Sequence, residues 1–101
     1  MEVTLNIRNN AESHRFETEL EGEFAYVEYR LHDGAMYLMH TFVPEKLRGR
    51  KIADQLALFA LDYIEKEKIR VKIYCPFITL FVKRHARYRH LAAEVGASPG
   101  N

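Results

Sequence analysis

A chain of 101 residues, 48% of them hydrophobic, is the size of one domain with a modest core and too short for two. Its single cysteine, Cys75, excludes an internal disulfide, and no apolar run nears the roughly 20 residues of a membrane helix. The formal charge of +1 argues against a general nucleic-acid binder.

Alternation at Val3, Leu5 and Ile7, and again at Phe16, Thr18 and Leu20, predicts two half-buried strands. A turn at Glu21-Gly22-Glu23 leads to a third strand, Phe24 to His32. Asp33-Gly34 tolerates the positive φ angles of a two-residue hairpin, so the fourth strand runs from Ala35 to Val43 and ends at Pro44. The period then changes. Ile52, Leu56, Phe59, Ala60, Tyr63 and Ile64 recur at helical spacing and predict an amphipathic helix to about Glu67. A short fifth strand spans Arg70 to Cys75, and Pro76 suits the first position of a second helix through about His85. Strand, helix, strand implies a parallel crossover, so the fold expected is an antiparallel meander feeding a βαβ unit. Residues 1–95 are read as one domain and Gly96 to Asn101 as a disordered tail. The N-terminus lacks the basic-then-apolar order of a secretory leader, which gives the expectation of a cytoplasmic protein.

The charges are unevenly placed. Twelve of the fifteen Lys and Arg fall between Lys46 and Arg89, beside four acids, which fits an anionic ligand on the second half. Arg48, Arg50 and Lys51, with Lys83 and Arg84, are the cations assigned to it. The main helix opens Leu47-Arg48-Gly49-Arg50-Lys51-Ile52-Ala53, although helix N-termini are electropositive and normally take acids and Ser, Thr, Asp or Asn caps. Two readings stand. An anion bound to the free N–H groups reverses the repulsion, with Gly49 allowing close approach; alternatively, Asp54 compensates locally and the side chains extend into screening water.

Two residues carry candidate chemistry. Cys75 ends a strand just before a helix, where free N–H groups favour a thiolate, although a lone cysteine is more often a small buried hydrophobe. His40 alternates in phase with Met36, Leu38 and Phe42, which predicts a core-facing side chain. Parallel fourth and fifth strands bring the ends carrying both to one edge of the sheet, where ligands commonly bind. No pair among His14, His32, His85 and His90 has a metal spacing. Tyr26, Tyr29 and Tyr37 read as packing residues.

The stretch His40 to Ala53 is similar to the cofactor-binding segment of the GNAT superfamily of N-acetyltransferases, whose pattern is Arg or Gln, two variable residues, Gly, one variable residue, then Gly or Ala. Arg48 and Ala53 match its ends, and Lys51 stands where the middle glycine is usual. With His40-Thr41, Val43-Pro44, Cys75-Pro76-Phe77 and Lys83-Arg84-His85, the chain from Phe24 to about Leu91 resembles very short GNAT-like proteins. The resemblance implies a reduced GNAT-like α/β (α+β) fold that binds coenzyme A or acetyl-coenzyme A. It implies His40 and Cys75 as catalytic residues, Thr41, Phe42 and Val43 along the pantetheine arm, and Arg48, Gly49, Arg50, Lys51, Ile52, Ala53 and Asp54 around the pyrophosphate. At Lys51, N–H donation survives if φ is helical; the side chain then either obstructs a close phosphate or adds a charge to it.

Three functions follow in order: an acetyltransferase acting on a small-molecule or protein amine, a non-catalytic acyl-coenzyme A binder, and a nucleic-acid or phosphoprotein module using the basic half. Against the last, the cations do not interleave with aromatics as a stacking platform requires. Neither nucleic acid nor membrane is an expected partner, no metal is expected, and the chain is read as a monomer or weak homodimer. Transfer runs either directly to the amine or through an acetylated Cys75.

Overall fold

A computed structural model describes residues 4–92. Its elements are β1 (Arg8–Asn10), β2 (Arg15–Leu20), β3 (Glu23–His32), β4 (Ala35–Phe42), α1 (Ile52–Lys66), β5 (Arg70–Ile73), α2 (Pro76–Arg84) and α3 (Arg89–Ala92). The strands form one sheet in chain order, β1-β2-β3-β4-β5, antiparallel throughout except for the parallel β4–β5 pair. This is the meander feeding a βαβ unit that the residue pattern predicts.

The β3–β4 hairpin turns on Asp33 and Gly34, at φ 51° and 78°, the two left-handed residues such a loop needs. Along α1, Ile52, Leu56, Ala57, Ala60, Leu61 and Ile64 form a buried stripe. It packs with Phe16, Val27, Tyr29, Leu38, Val71 and Ile73 of the sheet and with Ile78, Phe81 and Val82 of α2 into one core. Each large side chain buried there contributes about 1.5–3 kcal/mol. Phe59 and Tyr63 hold the edge of this layer, their rings 5.8 and 5.2 Å from that of Phe16. Tyr29 is buried as expected of a packing residue, and its hydroxyl donates to Asn9 Oδ1 at 2.6 Å.

Two expectations are corrected. The first strand lies at Arg8–Asn10, after the alternating Leu5 and Ile7, which pack on the core without joining the ladder; Val3 is outside the described residues. The Asn6 carbonyl is taken by the Thr18 hydroxyl at 3.0 Å, and pairing with β2 begins where Arg8 and Asn10 reach the Glu17 carboxylate.

The second correction concerns β4. Glu28 pairs with His40, but the next residue of β3, Tyr29, pairs with Leu38, leaving Met39 as an extra residue. A bulge of one residue exchanges the two faces beyond it. Met36 and Leu38 therefore point into the core, whereas His40 is exposed, and Thr41, opposite buried Val27, now takes the inward side. His40 is not core-facing. The tail at Gly96 to Asn101 lies outside the described residues. Among those described, no helix is long and apolar enough to cross a membrane.

Candidate active site

Strands β4 and β5 pair only as far as Leu38 and Ile73. The amides of Tyr74 and Cys75 then both donate to the Leu38 carbonyl, at 2.9 and 3.0 Å, and Pro76 turns the chain into α2. Beyond that point β4 continues to Phe42 beside no strand on this side, so its edge groups face a gap. Across it the chain passes from Pro44 through a short turn at Glu45–Leu47 to the start of α1. Thr41, Phe42, Val43, Leu47, Arg48, Lys51, Ile52, Ala53, Asp54 and Phe77 line the resulting cleft of about 320 Å³.

The floor at the α1 end is backbone. Helix geometry leaves the first-turn N–H groups without intrahelical acceptors, and α1 has no side-chain cap. Gly49 has φ 85° and Lys51, the residue preceding the helix, φ 59°. Lys51 is thus left-handed rather than helical, contrary to the condition set for it from sequence. Positive φ at this position supplies the physical reason a glycine suits it, and here a lysine carries the strain.

The cations divide. Arg50 is neutralised by Glu21 at 2.6 Å, and its guanidinium holds the Glu21 carboxyl below the ordinary carboxylate range. The compensation assigned to Asp54 from sequence falls, for Arg50, to a residue from the β2–β3 turn. Arg48 donates through Nε to the Val43 carbonyl at 3.0 Å, which ties the turn to the β4 edge. Arg48 and Lys51 remain as cations at the cleft without a carboxylate partner among the described residues.

Of the residues singled out from sequence, Thr41, Phe42, Val43, Arg48, Lys51, Ile52, Ala53 and Asp54 are brought together at this cleft. Gly49 and Arg50 shape its rim without lining it. Lys83 and Arg84 lie exposed in the last turn of α2, away from the cleft, where they complement the negative end of that helix. Leu47 and Phe77 are walls that the charge pattern gave no reason to select; Glu21 was hidden by its 29-residue separation from Arg50.

His40 and Cys75 stand at the same level of the sheet but on opposite faces. Cys75 is 2% exposed, inside the core, with its Sγ 3.1 Å from the Thr41 hydroxyl. His40, set outward by the bulge, shares the open face with Glu28. Among the described residues, no group of three or more His, Cys, Asp or Glu could hold a metal ion.

The sequence profile described as "GCN5-related N-acetyl-transferase" matches residues 15–91, from the start of β2 into α3. The chain belongs to the GCN5-related N-acetyltransferase family. Similar relatives are proteins called NATD1. The one from Danio rerio is 41% identical over 54 residues, covering 54% of this chain and 49% of the relative. That from Bos taurus is 40% identical over 68 residues, covering 67% and 57%, and that from Gallus gallus 37% identical over 68 residues, covering 67% and 58%. The chain thus spans about half the length of the curated relatives it matches. For a GCN5-related N-acetyltransferase this is a reduced fold, with five strands and helices α1 and α2 packed into one core on a single face of the sheet.

Proposed function

We propose that this protein binds acetyl-coenzyme A in the cleft between the β4 edge and the start of α1 and transfers the acetyl group directly to an amine. The observation that carries the reading is the cleft itself: an apolar slot bounded by an unpaired strand edge and closed at one end by an uncapped, cation-flanked helix terminus. A pantetheine arm needs strand-edge hydrogen bonds along apolar walls, and a pyrophosphate needs convergent N–H groups and positive charge. Thr41 to Val43 meet the first requirement. The first-turn amides of α1, with Arg48 and Lys51, meet the second. The residues present therefore fit the group.

Acetyl-coenzyme A would supply an activated thioester at the parting of β4 and β5. There His40, exposed on the open face, would accept a proton as the amine nitrogen forms its bond to the acetyl carbon and the coenzyme A thiolate leaves. Direct transfer is favoured over the covalent route because the Cys75 thiol is enclosed behind Thr41, on the face opposite His40. Cys75 then serves as a packing residue that fixes Thr41 at the cleft wall.

Titration with coenzyme A, followed by amide NMR, is expected to shift the signals of Gly49 through Ala53 and of Thr41 to Val43. Coenzyme A release in the presence of amines is expected to fall about 10²-fold or more in kcat for His40→Ala, with its Kd for coenzyme A unchanged. Unmoved amides in the α1 turn would remove the cofactor site; full activity in His40→Ala would remove the base.

A further inference from the structure

The helices cover one face of the sheet, and the other carries a second cleft of about 390 Å³, lined by Arg30, Leu31, His32, Tyr37, Met39 and Tyr74. The bulge and the β4–β5 parting build it. Met39, the extra residue, lies beside Tyr37, and Tyr74 leaves the sheet just where β5 stops pairing. The rings of Tyr37 and Tyr74 stack across the parting, 5.7 Å between centroids and 6° from parallel. Tyr74 is 43% exposed, so aromatic surface here faces solvent. The next outward residue along β4 is His40, with Glu28 directly opposite it.

We infer that this cleft receives the acceptor, and that the acceptor is a single primary amine on a flat aromatic body, an arylalkylamine. The inference rests on the transferase reading above and deepens it. The stacked tyrosines and Met39 offer a face for an aromatic ring, and the volume falls within the range of small-molecule sites. From Tyr37 to His40 is three residues of strand, about 10 Å, the reach of a ring plus a short alkyl arm. The Glu28 carboxylate, which has no ion-pair partner among the described residues, faces the amine end and attracts the ammonium. The ammonium gives one proton to water before the neutral amine attacks and passes its second proton to His40. Arg30 on the cleft wall sets a limit on charge. A polyamine or a lysine-rich peptide would bring further cations against it, whereas a molecule charged only at its His40 end would not.

Tyramine serves as the probe. Added to the protein without cofactor, it is expected to shift the amides of Arg30 to His32, Tyr37 to His40 and Tyr74; shifts confined to other residues would overturn the inference. With acetyl-coenzyme A present, kcat/KM for tyramine is expected to exceed that for spermidine and for a lysine-containing peptide. Tyr74→Ala, at an exposed position that leaves the core intact, is expected to raise KM for tyramine about tenfold without changing coenzyme A binding. Preference for spermidine or the peptide overturns the acceptor class while leaving the transferase reading standing. Loss of coenzyme A binding in the same samples, with tyramine still seated at Tyr74, removes the transferase reading alone.

Discussion

Replacing Lys51 tests the strain at the proposed cofactor cleft. A non-glycine residue in the left-handed region costs about 1–2 kcal/mol, and glycine there surrenders about 0.5–1 kcal/mol of extra chain entropy. With φ 59° at Lys51, Lys51→Gly therefore gains a net of about 0.5–1 kcal/mol. At about 4–8 °C per kcal/mol for a domain of this size, Tm rises by about 2–8 °C. Removing the cation from the positive end of α1 also contributes, so Lys51→Ala is the control: it loses the same charge but keeps the strained backbone. The expected order in thermal denaturation is Lys51→Gly above Lys51→Ala by that margin. Both variants lose the charge facing a diphosphate, so both bind coenzyme A about fivefold more weakly, an effect that shrinks with added salt. Equal Tm values for the two variants would refute the assignment of strain to Lys51. Tighter binding by both would mean that the side chain obstructs the phosphates rather than holding them.

Three further outcomes follow from individual groups. Burial pushes the Glu17 carboxyl up, but hydrogen bonds from Arg8 and Asn10 and the charge and hydrogen bond of Arg15 outweigh it, leaving the group below its ordinary value of 4.5. A depressed carboxylate contributes stability that is present above the unfolded value and lost as pH falls through the folded one; the Tm gap between wild type and Glu17→Gln should close below pH 4.5, and a constant gap would contradict this. Burial, then the hydrogen bond to Asp62, pushes the Tyr88 hydroxyl up from 10.0 to about 12, so its contribution is complete below pH 10 and is lost on the way to 12. Tyr88→Phe should cost about 1 kcal/mol in urea unfolding at neutral pH, and a cost unchanged at high pH would contradict the linkage. Cys75→Ala should retain its kcat for acetyl transfer, and the intact wild-type protein should gain no acetyl mass at Cys75; an acetylated Cys75 would instead establish the covalent route.

Much of the fold was legible because its signals are local. The Asp33-Gly34 hairpin, the 3.6-residue stripe of α1 and the proline opening α2 each depend on residues near in sequence, and each stands where the pattern put it. The first strand did not, because the alternation of Leu5 and Ile7 reports burial while ladder pairing was decided by Thr18, twelve residues beyond Asn6. The cleft proposed for the cofactor coincides with the cluster of wrong-signed charge at a helix start that the sequence displays. Its neutralisation by Glu21 was not, since nothing local links a turn glutamate to Arg50.

The least legible feature is the one on which the proposed chemistry depends. Period-two reasoning assumes that a strand keeps one phase, and on that assumption His40 belongs with Met36 and Leu38. A single extra residue at Met39 breaks the assumption and sorts three neighbouring functional candidates by face: Thr41 inward to the cofactor cleft and Cys75, His40 and Tyr37 outward to the open side. With Met39 paired in a regular ladder, His40 would point into an apolar core, where its charged form is costly, and Thr41 could not reach the Cys75 thiol. The same extra residue lies at the point where β4 loses its pairing with β5, so the strand edge that suits a pantetheine arm and the histidine that suits a base come from one irregularity. Deleting Met39 places His40 directly after Leu38, so regular alternation returns with His40 still outward opposite Glu28 and Thr41 still inward opposite Val27. Only the bulge is lost, and coenzyme A binding at the straightened β4 edge is expected to fall. A deletion variant that folds and still shifts its Thr41 to Val43 amides on adding coenzyme A would show that the cleft does not depend on the bulge.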